Sequence, residues 1–243
     1  MTFQPNEQGR PYGAAGSQQG TIDLRAGTQT QGAYLNQAFF WMFAGLLLTA
    51  AIGYVVQTNQ TILRFVASNF LPIIIGQFVL VMAIQFGIRR LPATVALAMF
   101  FAYAASLGFT VMALVLIVYD TPTIATAFFS AAAMFGGAAL YGYTTKRSLA
   151  SLGGFLFMAV IGLIVASVVN LFVGSDTFGW IISIVGVVLF TVLTAFHVQR
   201  IANGDLVLWT GSVEKAAVLG ATLLYLDFVN LFLFLLRLFG TRR

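Results

Sequence analysis

The chain has no cysteine, one histidine and little charge, with 12 Lys and Arg and 7 Asp and Glu making up 8% of 243 residues. Without cysteine there are no disulfides and no thiolate metal sites. A single histidine beside scattered acids supplies too few ligands for a metal centre, and no cofactor is expected. Soluble domains carry about 25% charged residues, so water is not the main solvent of this surface. The basic residues sit between apolar blocks and do not cluster on one polar face, which argues against a nucleic-acid binder. Enzyme chemistry also lacks its parts. No two aspartates lie in two apolar segments as an intramembrane aspartyl protease needs, no serine–histidine arrangement stands out, and there is no Gly-rich phosphate loop.

What the sequence has instead is length of apolar run, with 60% of its residues hydrophobic. Charges recur at Arg64, Arg89–Arg90, Asp120, Lys146–Arg147, Asp176, Arg200, Asp205, Glu214–Lys215, Asp227 and Arg237. Most gaps between them hold one stretch of membrane-spanning length, since about 20 residues at about 1.5 Å each cross the hydrocarbon. The pattern predicts helices at 38–57, 69–88, 93–118, 122–143, 149–173, 177–200 and 214–239. Barrel strands would be shorter and alternating. The fold class is therefore an all-α integral membrane protein, a bundle of seven transmembrane helices occupying 37–243. Residues 1–36 are rich in Gln, Gly, Ser and Thr, and are expected to form a disordered polar tail. The first apolar run begins too late and is too long for a signal peptide.

Local chemistry supports these boundaries. Pro72, Pro92 and Pro122 fall at or near proposed helix starts, and Ser175 and Ser212 offer cap oxygens. Ala132, Ala133, Gly136 and Gly137 give the fourth helix small residues that let a neighbouring backbone approach. Lys and Arg concentrate on the cytoplasmic side of membrane proteins. An N-terminus inside places Arg10, Arg25, Arg89, Arg90, Lys146, Arg147, Arg200 and Lys215 there, and leaves Arg64, Arg237, Arg242 and Arg243 outside. The expected setting is a multi-pass plasma membrane protein with a cytoplasmic N-terminus.

Function is sought where polarity is expensive. Asp227 stands near the middle of the seventh helix, where an ionised carboxylate facing lipid costs about 2.5–3.5 kcal/mol even on lenient scales. It must face the interior, with Asn230 on the same helical face. It serves either an interhelical hydrogen bond or an ion or proton path, and a buried ionisable group favours the second. His197 lies near the end of the sixth helix, where an imidazole either senses pH or hydrogen-bonds at the interface. Gln77 and Gln85, on the second helix, are uncharged and are expected simply to join helices.

Three stretches resemble the Bax inhibitor family, in particular its bacterial members: Leu140 to Arg147 continuing through Gly153-Gly154-Phe155 to Ile164, then Phe196 to Ile201, and Leu224 to Gly240. The likeness spans residues from about 36 to 240. It implies a bundle with helix seven central, a bacterial inner membrane setting and a pH-sensitive calcium leak. In that family an aspartate of helix six shares a proton with an aspartate of helix seven. Asp227 matches the latter and His197 occupies the position of the former. Gln77 stands where an acid is expected in helix two. The resemblance thus implies a gating pair of His197 and Asp227, with Asn230, Gln77, Arg89 and Tyr225 as support for a pore or gate. Calcium or another cation is the implied permeant. The competing reading is a non-conducting regulator that binds another membrane protein, such as a quality-control protease.

Overall fold

The structure, a computed structural model, describes the backbone of residues 15–240 and the side chains of residues 34–240. Of the polar tail expected over 1–36, residues 1–14 lie outside the described residues, and the backbone from Ala15 onward is helical. Among the described residues every regular element is helical. Helix α1 (Ala15–Gln57) ends in the first apolar span, and a short α2 (Gln60–Ser68) leads to α3 (Phe70–Gly87). The third span is α4 (Ala93–Leu107), a π-helical turn (Gly108–Met112) and α5 (Ala113–Val118). Next come α6 (Thr121–Thr144), α7 (Gly153–Val173) and α8 (Asp176–Ala202). A short α9 (Asp205–Thr210) then joins α8 to α10 (Val213–Phe239). Seven of these segments are long and apolar enough to cross a membrane, as the charge spacing predicts.

Two helices fall where the sequence reading leaves plain connections. α2 is started by Asn59, whose Oδ1 accepts from the N–H groups of Thr61 and Ile62 at 3.1 and 3.2 Å. α9 lies between Gly204 (φ 81°) and Gly211 (φ 73°), left-handed positions that glycine adopts without a Cβ penalty. The predicted caps are present. Ser175 Oγ accepts from Phe178 N–H at 3.2 Å, and Ser212 Oγ accepts from Lys215 N–H at 3.4 Å.

Burial separates the spans into an inner and an outer set. Within an apolar 18-residue stretch of each span, 67% of the residues are buried in the seventh and 61% in the sixth, against 17% in the second and the fifth. α10 packs against α1, α4, α6, α8 and α9. α7 instead turns Phe155, Leu171 and Phe172 outward, as a helix facing hydrocarbon should. The small residues of α6 act differently from expectation. Gly136 and Gly137 have nothing within 4 Å of where a Cβ would stand, whereas at Gly142 a Cβ would fall on the backbone oxygen of Ala195. The close approach of α6 to α8 is made there, one turn from the basic end.

Candidate functional site

α8 and α10 run antiparallel, in a register set by small residues facing large ones. Phe234 sits against Gly186, the Arg237 guanidinium lies over Gly179, and Ile201 meets Gly220. That register brings His197 opposite Asp227. Counted from their shared connection the two looked mismatched, with His197 five residues before the end of α8 and Asp227 fourteen after the start of α10. The difference, roughly two and a half turns, is absorbed because α10 overruns the end of α8, and α9 carries the chain across that overhang.

The contact is short and enclosed. His197 Nδ1 lies 2.6 Å from Asp227 Oδ2, with the aspartate side chain 2% exposed and the imidazole 12%. The proton between them belongs to the nitrogen or the oxygen according to tautomer and charge. Phe196 stacks obliquely beside the imidazole at 5.5 Å, and Arg200 places its guanidinium carbon 5.4 Å from the Phe196 ring centre. No group of three or more His, Asp or Glu that could hold a metal ion occurs among the described residues.

The other residues singled out by sequence are distributed around this pair without touching it through hydrogen bonds. Tyr225 is fully buried, and its hydroxyl lies 2.6 Å from Thr49 Oγ1, which also donates toward the carbonyl of Ala104 at 2.9 Å. The Tyr225 ring packs edge-on against Phe100 and Tyr103. Asn230 stays within its own helix, donating from Nδ2 to Leu226 O at 2.8 Å. Arg89 sits at the exposed turn after α3, where its carbonyl accepts from Lys215 Nζ at 3.0 Å.

Gln77 serves the π-turn. Its Nε2 donates to Ser106 O at 2.9 Å and to Thr110 Oγ1 at 2.7 Å. A π-turn widens the backbone ladder and leaves carbonyls to be satisfied from outside. Thr49 and Gln77 do this for Ala104 and Ser106. The position where the family resemblance leads one to expect an acid therefore holds a donor here. Gln77→Glu is expected to lower stability by about 1–3 kcal/mol, because a carboxylate cannot donate to the buried carbonyl. Unfolding in detergent micelles measures this, and wild-type stability would show that the donated hydrogen bonds are dispensable.

Sequence reasoning missed two polar anchors. Gln199, two residues beyond His197, accepts from Leu149 N–H at 2.7 Å and donates to Arg147 O at 2.9 Å, fastening the α6–α7 connection to α8. At the opposite end Asn170, with its amide oriented to suit its partners, accepts from Arg237 Nη2 at 3.2 Å and donates to Ser175 O at 3.1 Å. Only the placing of a lone buried glutamine or asparagine near a helix end hinted at either.

Comparison with known proteins identifies the bundle. The family model described as "Inhibitor of apoptosis-promoting Bax1" matches residues 31–243. The chain belongs to the Bax inhibitor family. Among its relatives is the Inner membrane protein YbhL of Escherichia coli K12, 41% identical over 228 residues, which are 91% of this chain and 96% of that protein. An uncharacterized protein of Deinococcus radiodurans is 41% identical over 210 residues, covering 86% of this chain and 90% of its own. Another from Borreliella burgdorferi is 40% identical over 215 residues, covering 86% and 92%. This Bax inhibitor family member thus carries a buried imidazole–carboxyl contact between its last two spans.

Proposed function

We propose that the protein is a pH-sensitive, calcium-leak-like cation channel of the bacterial inner membrane, with its N-terminus in the cytoplasm and with His197 and Asp227 as its gating pair. The observation that carries this reading is the buried 2.6 Å contact between the two side chains. It fastens the two most enclosed spans to each other, so its charge state bears on how closely they approach. Its place among the relatives that include an inner membrane protein supports the setting, and the family resemblance supports the calcium leak.

The sign of the pH response follows from the residue types. Two carboxylates share a proton when one is protonated and repel when both ionise, so such a pair loosens steadily as pH rises. An imidazole and a carboxyl attract as ions only between the titration of the carboxyl and that of the imidazole. The attraction is lost as pH rises through the second and again as pH falls through the first. Closure is therefore strongest at intermediate pH. Replacing one acid by histidine also reduces the negative charge offered to a divalent cation.

The test is calcium entry into liposomes holding the purified protein, across a pH series. The expected profile has a flux minimum flanked by rises on both sides, and His197→Asp should convert it to a rise with pH alone. An unchanged profile in both His197→Ala and Asp227→Asn would sink the gating reading. No flux at any pH, together with a membrane protein that stays bound through purification, would favour the regulator instead. Repeating the assay with potassium identifies the permeant.

A further inference from the structure

A second feature lies on the other side of α10 and is independent of the channel reading. The first, third, fourth and seventh spans line a half-open cavity of about 490 Å³ whose wall is almost wholly apolar. Its back is formed by Phe228 and Phe232 of α10, which are 6% and 4% exposed, and its side by Met112 of the π-turn. Its mouth lies between Ala50 and Tyr54 on α1 and Phe129 on α6, all exposed. The Thr49 hydroxyl in the wall is already engaged with Gly45 O, Ala104 O and the Tyr225 hydroxyl.

Water does not suit this space, since an ordered water needs two to four polar partners. An apolar group lying along this lining gains dispersion contacts with it. The volume lies in the range of small-ligand sites. What meets the mouth is set by its surroundings. Phe43, Leu47 and Tyr54 of α1 and Phe129 of α6 form an exposed apolar surface on spanning segments. Such a surface has hydrocarbon as its solvent, and the cavity is continuous with it.

We infer that this cavity is a binding site for one acyl chain of a membrane phospholipid, which enters sideways between α1 and α6 and lies against Phe228 and Phe232. The bound chain fills the space between the π-turn and the α10 segment that begins one residue beyond Asp227. A free small apolar molecule is the other conceivable occupant, and the test separates the two.

The full-length protein is reconstituted in phosphatidylethanolamine–phosphatidylglycerol vesicles doped with a phosphatidylcholine bearing a diazirine in one acyl chain, irradiated, and mapped by peptide mass spectrometry. Adducts are expected on Phe228 or Phe232, which the bilayer reaches only through the cavity, as well as on the outward α7 residues Phe155, Leu171 and Phe172. Ala125→Phe and, separately, the milder rim substitution Ala50→Leu should each abolish the α10 adducts and leave those of α7. The inference is overturned if wild-type α10 carries no adduct, or if the adducts persist in both variants. It is equally overturned if a small apolar photoprobe labels α10 while the phospholipid does not.

Discussion

Replacing His197 by alanine is expected to destabilise the bundle by about 3–5 kcal/mol, the range for removing one partner of a buried ion pair. The reason is what remains. Asp227 is 2% exposed and sits between spans, so the variant holds a polar group that neither water nor protein satisfies. Asp227→Asn is expected to cost less, since an amide still hydrogen-bonds to an imidazole. The double variant His197→Leu, Asp227→Leu should recover much of the loss, because apolar groups of similar volume replace a buried pair at little cost. Unfolding in mixed detergent–SDS micelles reads all three. A double variant as unstable as His197→Ala would show that the loss comes from packing and not from the orphaned carboxyl.

Gly142→Ala should destabilise by about 1–3 kcal/mol, whereas Gly137→Ala five residues earlier should stabilise by about 0.5–1 kcal/mol. At Gly142 the added methyl meets the backbone of Ala195, with its Cα at 2.8 Å, and a helix backbone cannot swing aside as a side chain can. α6 and α8 must separate, and Ala195 is two residues from His197. At Gly137 nothing lies within 4 Å, so alanine simply lowers the conformational freedom lost on helix formation. The same micelle unfolding assay measures both. Similar effects of the two substitutions would show that the approach of α6 to α8 is not as tight as described.

The seven spans were legible because hydrocarbon imposes length and apolarity on each, and charges mark the turns between. α2 and α9 were not, since helices of nine and six residues are too short to show a periodic pattern. Asp227 announced itself by the cost of an acid in lipid. His197 alone looked ordinary, and only the family resemblance pointed from one to the other. Residue counting obscured their contact because it assumes that adjacent helices end at one level, which the overhang of α10 violates. The small residues of α6 showed that a close approach was available but not on which face, so Gly136 and Gly137 were favoured over Gly142. Charge counting treated Arg237 as one of the outer basic residues, but its guanidinium is turned inward onto Gly179 and Asn170.

The span with the largest buried share, α10, follows the other six described spans in the chain. Before α10 leaves the ribosome, the six described spans ahead of it are available to partition into the bilayer. His197 then has no carboxyl partner, and the surfaces of α1, α6 and α8 that later meet α10 face lipid or each other. A chain cut short ahead of Asp227 would keep that imidazole and those faces uncovered, a state that polar cost in hydrocarbon disfavours. Synthesis through α10 thus becomes a condition for a sealed bundle. A product interrupted ahead of α10 lacks the helix that covers those faces.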